Sequence, residues 1–162
     1  MGTLEEPATR WATGIIDCMT GRRPSEAERF QQRIEPYTNR LLKAFEESGA
    51  HAGARLDHDR RELILYGVGD PTAALVAIMA EAPDGLGVQW RSAPYTRDEL
   101  VAETQRLMRA SSKLNTGGPR TDGTALEFTT TDAELLAADD PQGALGSRYP
   151  VTIRHGERPS LY

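Results

Sequence analysis

Ser25-Glu26-Ala27-Glu28-Arg29-Phe30 and Thr96-Arg97-Asp98-Glu99-Leu100-Val101 open two stretches that carry the same signals in the same order. Each begins with a Ser or Thr followed three positions later by Glu, the reciprocal pair that satisfies the first free N–H groups of a helix. Downstream of the first, Phe30, Ile34, Tyr37, Leu41 and Phe45 recur at steps of four, three, four and four, which places one apolar stripe on a long helix. Pro36 interrupts that stripe and removes one backbone donor, and Gly49 stands where a helix C-terminus favours glycine. Downstream of the second, Leu100, Val101, Thr104, Leu107 and Met108 form an equally regular stripe.

Working outward, the first helix is followed by Ala54-Arg55-Leu56-Asp57, a polar turn His58-Asp59-Arg60-Arg61, and Glu62-Leu63-Ile64-Leu65-Tyr66. The alternation predicts a hairpin in which Ala54 and Leu56 face the same side as Leu63 and Leu65. Asp70-Pro71 reads as an N-cap with proline at the first helical position, opening a helix over Thr72–Ala82 whose apolar composition predicts burial. Leu86–Arg91 returns as a strand. The second pass repeats the order with Gly118, Leu126-Glu127-Phe128, Asp132 as a cap for Ala133–Ala138, and Val151-Thr152-Ile153-Arg154. Its Ser111–Thr121 stretch, rich in Ser, Asn and Gly, reads as a mobile loop, and Pro141 with Gly143 weakens its second helix. The expected fold is α+β: tandem duplicated α-β-β-α-β units forming two small three-stranded sheets, each packed by helices, plus an N-terminal helix. The divisions follow as 1–24 (N-terminal helix and linker), 25–94 (first unit), 95–155 (second unit) and 156–162 (tail). The N-terminal helix spans Leu4–Met19, where Trp11, Ile15 and Met19 make one stripe before Gly21-Arg22-Arg23-Pro24 breaks it. It is expected to cover the open side of the domain or to dock on a partner.

Composition narrows the function classes. Each half of a 162-residue chain is near the size at which a core is marginal, so the halves are expected to pack on each other. A net charge of −5 argues against a nucleic-acid binder, whose footprint is a clustered basic face. The 19 basic residues include only two lysines, Lys43 and Lys113, a bias explained by GC-rich codons. No apolar run approaches the ~20 residues of a membrane span, and Met1–Arg10 lacks the pattern of a secretory signal. A cytoplasmic, bacterial protein with no membrane attachment is the expectation. The one cysteine, Cys18, excludes an internal disulfide framework and reads as a small apolar residue under a helix.

His51, Asp57 and His58 have metal-ligand chemistry but not the i, i+4 spacing of a helical zinc site, and Asp57-His58-Asp59 is what a solvated turn looks like. Ser92, Ser111 and Ser112 lack a nucleophile-elbow glycine frame, and His155 stands alone at a strand end. Gly67-Val68-Gly69-Asp70-Pro71 lacks both a Walker lysine and a dinucleotide fingerprint. Asp139-Asp140 lies in a loop with no apolar pocket implied. No enzyme activity, metal or cofactor is therefore expected. Trp90 and Tyr95 frame the seam between the units; Trp90 reads as core and Tyr95 is open between core and contact site. The last strand can lie at a sheet edge and accept a partner strand, which nominates Val151, Thr152, Ile153, Arg154 and Tyr95 as partner-binding residues.

The Gly53–Leu65 stretch, with Val88-Gln89-Trp90-Arg91-Ser92 and Thr96-Arg97-Asp98-Glu99-Leu100, resembles the hairpin and capping pattern of α-lytic protease and streptogrisin-type protease prodomains over about Gly53–Met108. The resemblance implies a folding catalyst and inhibitor that adds a strand to its protease and sends a C-terminal tail into the active site. With no export signal at the start and no protease after Tyr162, what carries over is the scaffold and a habit of binding proteins. Tandem α-β-β-α-β order is also similar to the BON domains of envelope proteins, but the acidic charge and low aromatic content oppose a lipid surface. The expected function is a non-catalytic protein-binding or assembly module acting through sheet edges or an apolar patch, with a homo-oligomer compatible. The alternative is a small-ligand binder or enzyme with its site in the cleft between the repeats.

Overall fold

The computed structural model describes residues 23–157. The helix expected over Leu4–Met19, Cys18 and the end of the tail lie outside the described residues. The chain runs α1 (Glu26–Glu47), β1 (His51–Asp57), β2 (Glu62–Gly67), α2 (Ala73–Ala80), β3 (Gly87–Ser92), α3 (Arg97–Ala110), β4 (Leu114–Pro119), β5 (Leu126–Thr130), α4 (Ala133–Leu136), α5 (Pro141–Leu145) and β6 (Val151–His155). The fold is α+β with two three-stranded sheets, ordered β1-β2-β3 and β4-β5-β6. In each sheet the first pair is antiparallel and the second parallel.

The repeat extends to residue register. The same sequence spacing separates His51 from Leu114, Gly67 from Thr130, Val88 from Val151 and Ser92 from His155, and each pair occupies the same place in its ladder. A bulge falls at the same point of both hairpins, between His51 and Gly53 and between Leu114 and Thr116. Both capping boxes form: Ser25 with Glu28 and Thr96 with Glu99. The helices correspond at their C-terminal ends, capped by Ser48 and Ser111, so the 22-residue α1 exceeds the 14-residue α3 by about two turns at its start. Helix α1 continues through Pro36, and Gly49 follows it at φ 74°, in the left-handed region where a glycine is least strained.

Three local expectations are corrected. The cap of α2 is Thr72, whose hydroxyl accepts from Leu75 N, and not Asp70, so the helix starts two residues later than the Asp-Pro pair signals. Helix α2 is not buried all round: Leu75 is 1% exposed, whereas Val76 is 50% exposed. The Ser111–Thr121 stretch is not a loop but contains β4, because pairing with β5 satisfies a backbone that its own side chains specify poorly. In the second unit, Pro141 starts a separate short helix, α5, capped by Asp140.

Each unit has its own apolar core. The first joins Phe30, Ile34, Tyr37, Leu41 and Phe45 of α1 to Leu63, Leu65, Leu75 and Leu86, with Ala54 and Leu56 on the same side as expected. The second joins Leu100, Leu107, Leu114, Leu126, Phe128 and Leu135. Ala52, Ile64, Tyr66 and Ala93 cluster on the other face of the first sheet. That face is met by the β4–β5 turn: Gly123 lies against Ala52, Ala93 and the Tyr95 carbonyl, and Gly53 lies against the Thr121 carbonyl. Among the described residues, no helix is long and apolar enough to cross a membrane.

Candidate partner-binding edge

Strand β6 follows Arg148-Tyr149-Pro150, and the position of those residues is set by α3. Glu103, on α3, is fully buried. Its carboxylate accepts from Arg106 Nε and Nη2 at 2.9 and 2.7 Å, and from the Arg148 backbone N–H at 2.9 Å. It also accepts from Arg148 Nε and Nη2 at 3.1 and 2.9 Å. The bonds from Arg106, with those from Arg148, outweigh desolvation and hold the Glu103 carboxyl down at about 2. Arg106 also donates to the Gly146 carbonyl at 2.7 Å, tying the end of α5 to the same carboxylate. The entry to β6 is thereby clamped by charge-assisted bonds.

Tyr95 adds an apolar clamp beside it. Its ring meets Tyr149 edge-to-face at 4.9 Å, and both rings pack against the second core. At the far end of β6, Asn115 Nδ2 donates to the Gly156 carbonyl at 2.7 Å. Arg154 pairs with Glu127 of β5 at 2.9 Å. Val151 and Ile153 are half-buried against the second core, while Thr152 and Arg154 lie on the opposite face.

The ladder fixes which backbone groups of β6 are spoken for. Leu126 N donates to Pro150 O and Gly156 N to Thr130 O, so in this parallel register Thr152 and Arg154 face β5 with their N–H and C=O groups. Those of Val151, Ile153 and His155 point the other way, where no further strand is placed among the described residues. Of the five nominated residues, Val151, Thr152, Ile153 and Arg154 lie on β6, and Tyr95 packs on Tyr149 ahead of the strand. Val151, Ile153 and Tyr95 build the core behind the strand, and Arg154 is held by Glu127. The recipient groups are main-chain. Strand β3 presents the equivalent Val88, Trp90 and Ser92 groups.

Other candidates are dispersed. His51 and Asp57 begin and end β1, a separation of about 20 Å at 3.3 Å per residue, and among the described residues no three His, Cys, Asp or Glu side chains are grouped to hold a metal. His51 packs against Phe45 at 4.8 Å, and burial, the main cause, pushes its pKa below the usual histidine value. Asp57 accepts from Arg60 N within the turn. Trp90 is partly buried and packs against the first core: it meets Phe45 at 5.3 Å and donates to Gly69 O.

Two clefts lie between the repeats: one of about 280 Å³ is lined by Glu46, Gly49, His51, Arg97 and Asp98, and one of about 290 Å³ by Arg55, Tyr66, Arg120, Thr121, Asp122 and Glu127. The carboxylates of the second are engaged: Asp122 by Arg120 at 3.0 Å, and Glu127 by Arg120 and Arg154. A wider groove of about 570 Å³ runs between Leu107, Lys113, Leu135, Ala138 and Leu145, where α4 is too short to close the space beside α3. Lys113 at its rim is paired with Asp132 and Glu134. Sequence reading missed Glu103. Its position three residues after Leu100 and four before Leu107 puts it on the buried stripe, which was the available signal; its partner Arg148 could not be found that way. Neither the family models nor the curated proteins offer a match to the chain.

Proposed function

We propose that this chain is a non-catalytic protein-binding or assembly module that receives an extended segment of a partner protein at the open edge of β6. The observation that carries the reading is the outward row of Val151, Ile153 and His155 backbone groups on a strand clamped at both ends. An edge already held in extended form loses little freedom on binding, and its main-chain groups gain partners from the incoming strand. Specificity would then come from side chains flanking the edge, with Thr152 and Arg154 on one face. The cleft beside Arg120 supports an enzyme less well, since its carboxylates are committed to Arg120 and Arg154.

The ladder also selects the test. Proline at Thr152 would break a bond to β5, whereas His155→Pro removes an outward N–H from an exposed residue. Affinity capture from the source cells, compared for wild type, His155→Pro and Ser92→Pro, should show a partner lost with the first substitution and kept with the second. Equal recovery by wild type and His155→Pro, with an unchanged circular dichroism spectrum, would reject the β6 edge.

A further inference from the structure

Tyr66 lies at the seam of the two repeats, its ring packed among Ala52, Ile64 and Ala93 and only 9% exposed. Its hydroxyl has no hydrogen-bond partner among the described residues, is not sealed from solvent, and belongs to the wall of the cleft beside Arg120. A polar group this deep in a native fold is nearly always bonded. The second unit shows the bonded form. By ladder register Gly53, Arg55 and Tyr66 correspond to Thr116, Gly118 and Thr129, and the hydroxyls of Thr116 and Thr129 bond each other at 2.6 Å. In the first unit Gly53 offers no hydroxyl, and the Thr121 carbonyl lies against it instead. Tyr66 is left facing the cleft.

Arg55 stands beside it. The ladder pairs Arg55 with Ile64 and Gly53 with Tyr66, so Arg55 and Tyr66 project from the same face of the sheet. Their diagonal of about 7–8 Å is one that long side chains span. Arg55 is exposed, lines the same cleft and has no ion pair among the described residues. The other charges are matched: Asp122 by Arg120, and Glu127 by Arg120 and Arg154. Three guanidinium groups therefore meet two carboxylates, and the excess positive charge rests on Arg55. We propose that this cleft binds the carboxylate of a small organic monoanion, held as an ion pair by Arg55 and as a hydrogen-bond acceptor by the Tyr66 hydroxyl. The guanidinium fork matches the two oxygens of a carboxylate. One unmatched positive charge suits one negative charge, and Asp122 with Glu127 opposes a dianion. The volume of about 290 Å³ lies at the lower end of the range for small-molecule sites. The site uses no main-chain group of β6, so it stands or falls apart from the strand-edge reading.

The test titrates the full chain with sodium acetate and sodium benzoate at constant ionic strength, read by amide NMR. Saturable shifts are expected at Gly53, Arg55 and Thr121. Arg55→Gln should weaken binding at least about tenfold, and Tyr66→Phe, which keeps the ring in its cluster, about fivefold. Arg109→Gln removes an exposed guanidinium of α3 that does not line the cleft, and should leave the affinity as in wild type. Benzamide, the uncharged counterpart of benzoate, should not saturate, and inorganic phosphate should bind more weakly than either acid. Absence of saturation with both acids would overturn the proposal, as would equal binding of benzamide or tighter binding of phosphate. So would an affinity unchanged in Arg55→Gln, a variant at an exposed position whose fold is checked by its urea midpoint. An acetylated tripeptide with a free C-terminal carboxylate that binds more tightly than benzoate would also overturn it, by assigning the carboxylate to the end of a peptide chain.

Discussion

Glu103 carries more of the second unit than any other polar residue. It is sealed by two guanidinium groups that themselves stay in contact with solvent, so the buried carboxylate's charge is compensated without the full cost of a dry ion pair. Glu103→Ala should destabilise the protein by about 3 kcal/mol, the low end for breaking a buried pair, and Glu103→Gln by less, as read from urea midpoints. The pH dependence has a definite sign. Because the folded pKa of Glu103 is held near 2 and its ordinary value is 4.5, its contribution is present above about 4.5 and is lost as pH falls toward 2. His51, pushed below its ordinary 6.5 by burial, adds an earlier window in which the unfolded chain takes up a proton first and stability falls as pH drops below 6.5. His51→Phe should flatten the upper window and Glu103→Gln the lower, by denaturation at stepped pH. His51, Asp57 and His58 are spread along β1 and its turn, so EDTA should leave the melting temperature unchanged, and mass spectrometry should find no stoichiometric ion.

At the scale of elements, capping and close packing at the strands decide the outcome. Thr96 Oγ1 accepts from Glu99 N, while the Glu99 carboxylate accepts from the Thr96 hydroxyl at 2.7 Å and from Thr96 N at 2.9 Å; the hydroxyl bond first, then the backbone bond, hold that carboxyl below its usual range. Thr96→Ala should cost about 1 kcal/mol by thermal or urea unfolding. In the first sheet the Trp90 ring lies over Gly67, so that a Cβ there would overlap the indole. Gly67→Ala should therefore cost about 2 kcal/mol and shift the tryptophan emission, since the ring must leave its place beside Phe45. The helices were legible from sequence because their stripes and capping boxes are local. Strand β4 was not: Leu114-Asn115-Thr116-Gly117-Gly118-Pro119 has little strand propensity, and only pairing with β5 makes it one. The exposed side of α2 was hidden for the opposite reason, because apolar composition reports what a helix could bury and not how many neighbours it has.

The whole molecule depends on contact between the repeats. Ala52, Ile64, Tyr66 and Ala93 of the first sheet meet the β4–β5 turn of the second unit, with Gly123 at φ 68° seated against Ala52 and Ala93. A truncated chain ending at Ala93 would bare that cluster. It should fail to melt cooperatively in calorimetry, whereas the intact chain should give one transition. Gly53→Ala tests the same seam with one atom: its Cβ would overlap the Thr121 carbonyl, a backbone group with little room to move. A loss of about 2 kcal/mol, without change in secondary structure by circular dichroism, is expected.

By itself the sequence determined the repeated order of elements and the stripes that face each core. It also placed a strand at Val151–Arg154, because apolar period, capping pairs and strand alternation act over neighbouring residues. Tertiary structure alone decided that β6 lies at a sheet edge with the Val151, Ile153 and His155 backbone groups outward, since strand order is set by packing across the unit. It decided too that Glu103 joins Arg148, 45 residues away in sequence, to hold that edge in place. Such a pairing has no local signature: its free energy comes from burying a carboxylate between two guanidinium groups that the chain brings together only when folded.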